Sequence, residues 1–349
     1  MPERLGAATD LRRVLDAMPN IVWVHRAGGE PLYFNARWTE YTGLDLAQTL
    51  EVGAERLVHP DDLPKFRAAV AEGQRAEQPF DAEYRLRRGV TGEWRWHHAY
   101  LVPMRDEQGT VVAWIGTASD VDDDHRRDRE QTFLVHASSI LGTSLDVKRT
   151  LSDVAALVVP ELSDWCAIDL LDAEGGLVRM AVAHVDPSKV AVAHEIWKRQ
   201  PPKPDDPQGE YAVMRTREPQ LLADISDELI ASAVTDPEIL GMLRALGLRS
   251  SMCVPLVARD TVLGALTLVS AESGRRYGDR DLRFATDFAR RIAIALENAQ
   301  LYTAAEQARR AAEAIAADVV EQSKQVEAAL LAMRRERDEA RARIAERER

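Results

Sequence analysis

Apolar residues in the last quarter of the chain recur every three or four positions, and this pattern predicts one long helix over about 279–349. Neither glycine nor proline follows Gly278, so no residue in this stretch breaks a helix. Ala, Glu, Arg, Gln and Leu dominate it, and all of them favour helices. At about 1.5 Å per residue, about 70 residues would extend on the order of 100 Å. We therefore expect a helix that leaves a folded domain.

Two apolar stripes divide this helix. The first comprises Phe284, Phe288, Ile292, Ala295, Ala299 and Tyr302, and the second Ala305, Ala308, Ile315, Val319, Gln322, Val326, Ala329, Met333 and Ala340. Two successive steps of three residues join the stripes, as in a stammer. The first stripe indicates packing on a neighbouring domain. The second predicts a coiled coil over 301–349, with a single solvated helix as the alternative.

The first third of the chain alternates between strand and helix patterns. Leu11, Val14, Leu15 and Met18 share one face of an amphipathic helix within 1–18, which ends before Pro19. Period-two alternation and turn residues predict strands at 21–25, 32–35, 80–87, 93–104 and 111–120, with short helices between the second and third. Before the third strand, His59-Pro60-Asp61-Asp62 predicts a helix start with Pro60 at the first helical position.

Three motifs in this order point to a known family. They are His59-Pro60-Asp61-Asp62, the strand start Gly92-Glu93-Trp94-Arg95-Trp96, and the ending Gly116-Thr117-Ala118-Ser119-Asp120-Val121. Residues 19–122 thus resemble a PAS domain of the subtype that carries an HPDD motif. The resemblance implies an antiparallel sheet with flanking helices, in which Asp120 ties the sheet to the outgoing helix.

The cofactors of PAS domains can be compared with the residues present. A flavin photosensor needs a cysteine, which residues 1–125 lack, and a haem sensor needs a histidine on the helix at 63–73, which has none. His97 and His98 are neighbours on a strand, so they point to opposite faces and cannot bind one metal ion together. We predict no cofactor and no metal site. An unidentified small ligand remains open, in a pocket among Trp38, Tyr41, Phe66 and Tyr84, which are otherwise ordinary core residues.

A charged segment follows and predicts a linker helix at 123–145. Acidic residues lead it and basic residues come next, an order that suits the helix dipole. Its position between two domains makes it the candidate for signal transmission.

Residues 146–300 carry the motifs of a second family. They are Asp164-Trp165-Cys166-Ala167-Ile168-Asp169, Leu248-Arg249-Ser250-Ser251-Met252-Cys253-Val254-Pro255-Leu256, Leu263-Gly264-Ala265-Leu266-Thr267-Leu268, and Tyr277 with Asp281. This segment resembles a GAF domain, most of all those beside PAS domains in bacterial sensor histidine kinases and SpoIIE-type phosphatases. The cyclic-nucleotide signature is absent. Neither Cys166 nor Cys253 precedes a histidine, as a bilin-binding cysteine usually does, so buried, inert thiols are favoured.

Composition, charge and motifs disfavour several classes of function. The 349 residues are 46% hydrophobic and 29% charged, which is typical of globular domains, and the formal charge of −12 disfavours nucleic acid and anionic membranes. Two distant cysteines, the lack of a signal peptide and the lack of a long apolar run favour a cytoplasmic location. The chain contains no GxSxG, HExxH, CxxC or P-loop motif, and His194 is its last histidine.

These observations predict an α+β protein of two mixed sensor domains, PAS at 19–122 and GAF at 146–300. Each is an antiparallel sheet with flanking helices, and a long C-terminal coiled coil follows. We expect a non-enzymatic signal-transduction module of a bacterial two-component system. It would form a homodimer through its linker and tail helices and act on a downstream signalling protein. The alternative is the sensory portion of a histidine kinase or a SpoIIE-type phosphatase whose catalytic domain is missing from this chain.

Overall fold

A computed structural model describes residues 7–144 and 146–347. The described residues form two compact units that divide between Thr132 and Phe133. Parts of three predicted elements lie outside the described residues: positions 1–6 of the N-terminal helix, 145 of the linker and 348–349 of the tail. Among the described helices, none is both long and apolar enough to cross a membrane.

The first unit contains one five-stranded antiparallel sheet in the order β2-β1-β5-β4-β3. Its elements are α1 (Ala7–Ala17), β1 (Ile21–Arg26), β2 (Pro31–Phe34), α2 (Ala36–Thr42), α3 (Leu46–Val52), a 3₁₀ turn (Ala54–Leu57), α4 (Leu63–Ala76), β3 (Phe80–Arg87), β4 (Trp94–Arg105), β5 (Val111–Asp120) and the start of α5 (Asp122–Thr143). Alternation explains the buried face: on β3, Ala82, Tyr84 and Leu86 are buried while their neighbours are more exposed.

The start of α4 differs from the sequence prediction. Pro60 lies in a turn before the helix, and Asp62 is the N-cap residue of α4. The Asp62 carboxylate accepts a hydrogen bond from the Arg85 backbone N–H at 3.0 Å. It also accepts two from the Arg85 side chain, from Nε at 2.8 Å and from Nη2 at 2.8 Å. These hydrogen bonds hold the pKa of Asp62 below its usual range and fix α4 against β3.

The second unit contains another five-stranded antiparallel sheet, in the order β7-β6-β10-β9-β8. Its elements after α5 are α6 (Val147–Glu161), β6 (Trp165–Leu171), β7 (Leu177–His184), a 3₁₀ turn (Pro187–Lys189), α7 (Val190–Arg199), α8 (Glu210–Thr216), β8 (Gln220–Leu222), α9 (Asp227–Ala233), α10 (Pro237–Leu246), β9 (Ser250–Ala258), β10 (Thr261–Ser270) and α11 (Asp279–Arg347).

The main core of this unit lies between the sheet and the helices α5, α6 and α11. Phe288 and Ile292 of α11 are fully buried there, and Phe133 of α5 packs edge to face on Phe288 at 5.1 Å between ring centroids. The buried face of α11 continues through Ala293 and Leu296, rather than through the predicted Ala295 and Ala299.

Beyond residue 300, α11 is exposed almost throughout its described length. The predicted fold class is confirmed, with two antiparallel sheets, their flanking helices and one long C-terminal helix.

Candidate functional site

A cavity of about 330 Å³ lies between the sheet of the first unit and the helices α2 and α4. Six aromatic rings contribute to its wall. The residues that line it include Trp23, His25, Phe34, Trp38, Val58, Phe66, Val70, Gln74, Tyr84, Leu86 and Leu101. This size and this apolar lining with few polar groups are typical of small-molecule sites.

The rings hold one another in place. Phe34 stacks on Trp38 at 4.4 Å between ring centroids, and Phe66 meets Tyr84 edge to face at 4.7 Å. The Trp38 indole N–H donates to the Thr49 hydroxyl at 2.9 Å. The cavity wall is therefore preformed, which lowers the entropy cost of binding a ligand.

Tyr84 brings one hydroxyl to the lining of this cavity. The residue as a whole is 5% exposed. Burial raises the pKa of this phenol, so it stays neutral and can donate a hydrogen bond. A ligand that carries a hydrogen-bond acceptor could accept this hydrogen bond within the cavity.

Three of the four predicted pocket residues, Trp38, Phe66 and Tyr84, come together at this cavity. Tyr41 does not line it. The Tyr41 ring meets His97 at 4.8 Å, and its hydroxyl donates to the Leu86 carbonyl at 3.4 Å.

The sequence reasoning missed the contribution of β1. Trp23 and His25 alternate with Val22 and Val24, so their side chains share one face of the strand. That alternation was the sequence pattern that could have predicted their place in the cavity wall. Phe34, at the end of β2, was missed as well.

A charged cluster joins the sheet of the first unit to the start of α5. Arg95 donates to Asp120 from Nε at 2.6 Å and from Nη2 at 3.2 Å. Arg95 also lies 3.8 Å from Asp122 and 3.9 Å from Asp123, which stand in the first turn of α5. The Asp122 carboxylate accepts the Trp96 backbone N–H at 3.2 Å. These contacts, here called the sheet–helix junction, tie β4 and β5 to the first turn of α5.

The predicted histidine and cysteine arrangements can also be placed. His97 is 1% exposed, while the neighbouring His98 lies on the other face near Asp81. Cys166 and Cys253 are both free and buried, and burial raises the pKa of each thiol. Within the described residues, no group of three or more His, Cys, Asp or Glu side chains could hold a metal ion.

Comparisons with known protein families identify both units. The family model of the PAS fold matches residues 31–118, and that of the GAF domain matches residues 146–296. These two matches occur in the order that the sequence motifs indicated.

Two curated proteins are similar to parts of the chain. The uncharacterized protein y4lL of Sinorhizobium fredii is 31% identical over 112 residues, which are 32% of this chain and 13% of that protein. The peroxide stress-activated histidine kinase mak1 of Schizosaccharomyces pombe is 28% identical over 150 residues, which are 43% of this chain and 9% of the kinase. The chain thus spans only a small part of the length of these relatives.

Solved structures resemble the two units separately. A GAF domain from a phosphoenolpyruvate-protein phosphotransferase of Coxiella burnetii is 18% identical and covers 50% of this chain and 97% of its own, with a TM-score of 0.39. The PAS domain of a protein from Colwellia psychrerythraea is 17% identical and covers 34% of this chain and 99% of its own, with a TM-score of 0.30.

Proposed function

Because the chain carries a PAS fold followed by a GAF domain, we propose that it is a sensory module of signal transduction. It binds a small ligand in the aromatic cavity of the PAS unit. The change passes through the sheet–helix junction to α5, and paired helices of two copies carry it to a downstream signalling protein.

The observation that carries this proposal is the exposed apolar seam of α11. Ile315, Val319, Val326 and Met333 are 66%, 58%, 59% and 57% exposed, and they recur at heptad spacing. A helix that leaves such residues in water gains stability by burying them against a partner. A second copy of the chain offers the same seam in the same register. These points support a homodimer joined along this helix.

Light scattering of the purified chain tests the dimer. We expect twice the mass of one chain at micromolar concentration. Replacing Val319 and Val326 by lysine should yield the monomer, because two charges would then face the seam of each helix. The matched control replaces Val320 and Leu331 by lysine. These residues are 54% and 59% exposed but lie away from the seam, so the dimer should persist. A monomeric parent chain, or equal effects of the two double variants, would refute the proposal.

The ligand of the PAS cavity has its own test. Native mass spectrometry of the chain purified from its host should show a small molecule bound to the folded protein. Tyr84→Phe removes only the hydroxyl of a residue that lines this cavity, so it should weaken ligand retention. Equal retention by the variant and the parent would argue against a ligand hydrogen bond at this position.

The same proposal includes a cytoplasmic location and no catalytic activity of the chain itself. The absence of recognisable catalytic motifs from the sequence supports the second point. Incubation of the pure protein with labelled ATP tests it. Autophosphorylation or release of phosphate would contradict it.

A second function is favoured by the similarity to the fission yeast histidine kinase. On this hypothesis the chain is the sensory portion of a histidine kinase or of a SpoIIE-type phosphatase, and the catalytic domain lies elsewhere. Sequencing the transcript beyond the codon for Arg349 distinguishes the two readings. A frame that continues into a kinase or phosphatase domain supports this second function, and a stop codon supports the first.

A further inference from the structure

The GAF unit contains a second cavity, of about 270 Å³, between its sheet and the helices α7, α8 and α10. Most of its wall is apolar. The apolar lining includes Trp165, Ala167, Val182, Ala193, Ile196, Trp197, Leu243, Leu246, Leu248 and Val269. Its polar lining differs from that of the PAS cavity, because an arginine and a glutamate stand in the wall.

The arginine of this cavity is already neutralised. Arg179 donates from Nε to Asp169 Oδ1 at 2.9 Å and from Nη2 to Oδ2 at 3.1 Å, a bidentate pair. The Asp169 side chain is completely buried, and the Arg179 side chain is 13% exposed. The guanidinium carbon also lies 3.7 Å from the centre of the Trp197 ring. Asp169 therefore neutralises the charge of Arg179.

The glutamate forms only a long ion pair with the same arginine. Glu210 is the first residue of α8, and its side chain is 17% exposed. Its nearest cation in the described residues, Arg179 Nη2, lies 3.9 Å away, which is beyond hydrogen-bond distance. Its carboxylate accepts a hydrogen bond from its own backbone N–H. Burial, and next the negative charge of Asp169, raise the pKa of Glu210 despite that hydrogen bond.

The formal charges at this end of the cavity do not balance. When both are ionised, Asp169 and Glu210 carry two negative charges against the one positive charge of Arg179. Glu210 shares that cation only at 3.9 Å, so a cation held directly against its carboxylate would relieve the cost of a poorly solvated charge. The apolar walls would shield a hydrophobic body attached to the same cation.

We propose that this cavity binds a small organic cation, in which an amidinium, guanidinium or ammonium group pairs with Glu210 and an apolar body lies against the tryptophan-lined wall. The proposal rests on the sensory function argued above and assigns the second unit a ligand class of its own. Because Arg179 is committed to Asp169, the cavity discriminates against carboxylates and phosphates.

Three compounds of nearly equal shape test the charge preference. Benzamidine is a cation, benzamide is neutral and benzoate is an anion. Isothermal titration of each into the full chain at pH 8 should show binding of benzamidine at least about tenfold tighter than that of benzamide, as expected for one buried charge-assisted hydrogen-bonded pair. Benzoate should not bind measurably.

Three variants show whether Glu210 causes this preference. Glu210→Gln keeps the shape of the side chain and removes its charge, so the preference for benzamidine over benzamide should vanish. Glu218→Gln removes one negative charge from an exposed residue nearby and should leave the preference intact. Tyr84→Phe, in the PAS cavity, should also leave benzamidine binding unchanged.

The pH dependence supplies an independent readout. Glu210 faces Asp169 and Arg179, and the charge of Asp206 and the neutral Cys253 thiol lie near it. A cation favours the ionised form of Glu210, so benzamidine affinity should rise as pH increases through the raised pKa of this group. Binding below that pKa should release a proton to the buffer, and Glu210→Gln should abolish the release.

Equal affinities for the three compounds, or an unchanged benzamidine preference in Glu210→Gln, would overturn the proposal. Such a failure is distinguishable from failure of the sensory function. The light-scattering test of the dimer uses α11 variants and does not depend on any ligand of the GAF cavity. A dimer that ignores benzamidine would refute only the ligand assignment.

Discussion

Replacing Arg95 by alanine is expected to loosen the sheet–helix junction of the PAS unit. The Arg95 side chain is 24% exposed and that of its bidentate partner Asp120 is 34% exposed. A charge-assisted hydrogen bond in a buried setting stabilises by about 1.5–3 kcal/mol. Partial exposure reduces this value, so we expect a loss of about 1–2 kcal/mol. The variant also leaves Asp120, Asp122 and Asp123 together without the cation that they share.

Hydrogen exchange measured by mass spectrometry can show which segments of the chain are loosened by Arg95→Ala. A loss of 1–2 kcal/mol in the free energy of opening corresponds to exchange that is about 5–30-fold faster. We expect that acceleration in peptides that cover β4 and the first two turns of α5, and not in the GAF unit. The control is Arg67→Ala, which breaks a more exposed pair with Glu55, with side chains 60% and 49% exposed. This control should change exchange little, since such surface pairs contribute about 0–1 kcal/mol.

The reasoning would be refuted by equal exchange in the two variants at the start of α5. Faster exchange spread evenly over the whole PAS unit would also contradict it. In that case Arg95 would stabilise the unit as a whole without fixing the helix.

Four substitutions test the GAF unit further. Gly264→Ala should lower the free energy of unfolding by about 1–3 kcal/mol in urea titration, because its Cβ would lie 2.0 Å from the Asp169 backbone oxygen. Gly241→Ala, on α10 with open space around it, should instead stabilise by about 0.5–1 kcal/mol, and equal effects would contradict this account. Phe288→Ala should cost about 3–5 kcal/mol because this ring is fully buried, and a cost near zero would show that α11 does not pack on the sheet. The folded-state pKa of Glu210 is raised above its ordinary 4.5, so its contribution to stability is present below that value and is lost as pH rises. As pH rises above 4.5, the free energy of unfolding of the parent chain should therefore fall relative to that of Glu210→Gln. The fall should be at most about 1.4 kcal/mol per pH unit. A difference between the two proteins that does not change with pH would contradict the raised pKa.

Local patterns predicted the strands of the PAS unit well. The bounds of β3 and β5, Phe80–Arg87 and Val111–Asp120, are those that alternation and turn residues indicated. Alternation carries this information because one face of each strand is buried.

The residues around the start of α4 did not predict where this helix begins. Its N-cap residue, Asp62, is engaged by Arg85, 23 residues further along the chain. The neighbouring sequence contains no sign of that contact, and Pro60 alone suggested an earlier start.

The sequence also predicted the two cavities only in part. Aromatic residues at 38, 66 and 84 suggested the PAS cavity, because large rings usually lie inside. The cluster of the GAF cavity was not predicted, since Asp169, Arg179 and Glu210 belong to β6, β7 and α8. Each is an ordinary charged residue in the sequence, and only the fold shows that two carboxylates share one guanidinium.

Distances between spin labels on the tail helix test the paired-helix relay most directly. The buried thiols of Cys166 and Cys253 should not react, so Gln307→Cys and Arg334→Cys can each be labelled alone. A parallel dimer in register predicts one intermolecular distance on the order of 30 Å or less at both positions. The two positions are about 40 Å apart along the helix, so an antiparallel pair would give at least one distance of about 40 Å or more. Such a distance, or no intermolecular distance at all, would contradict the account.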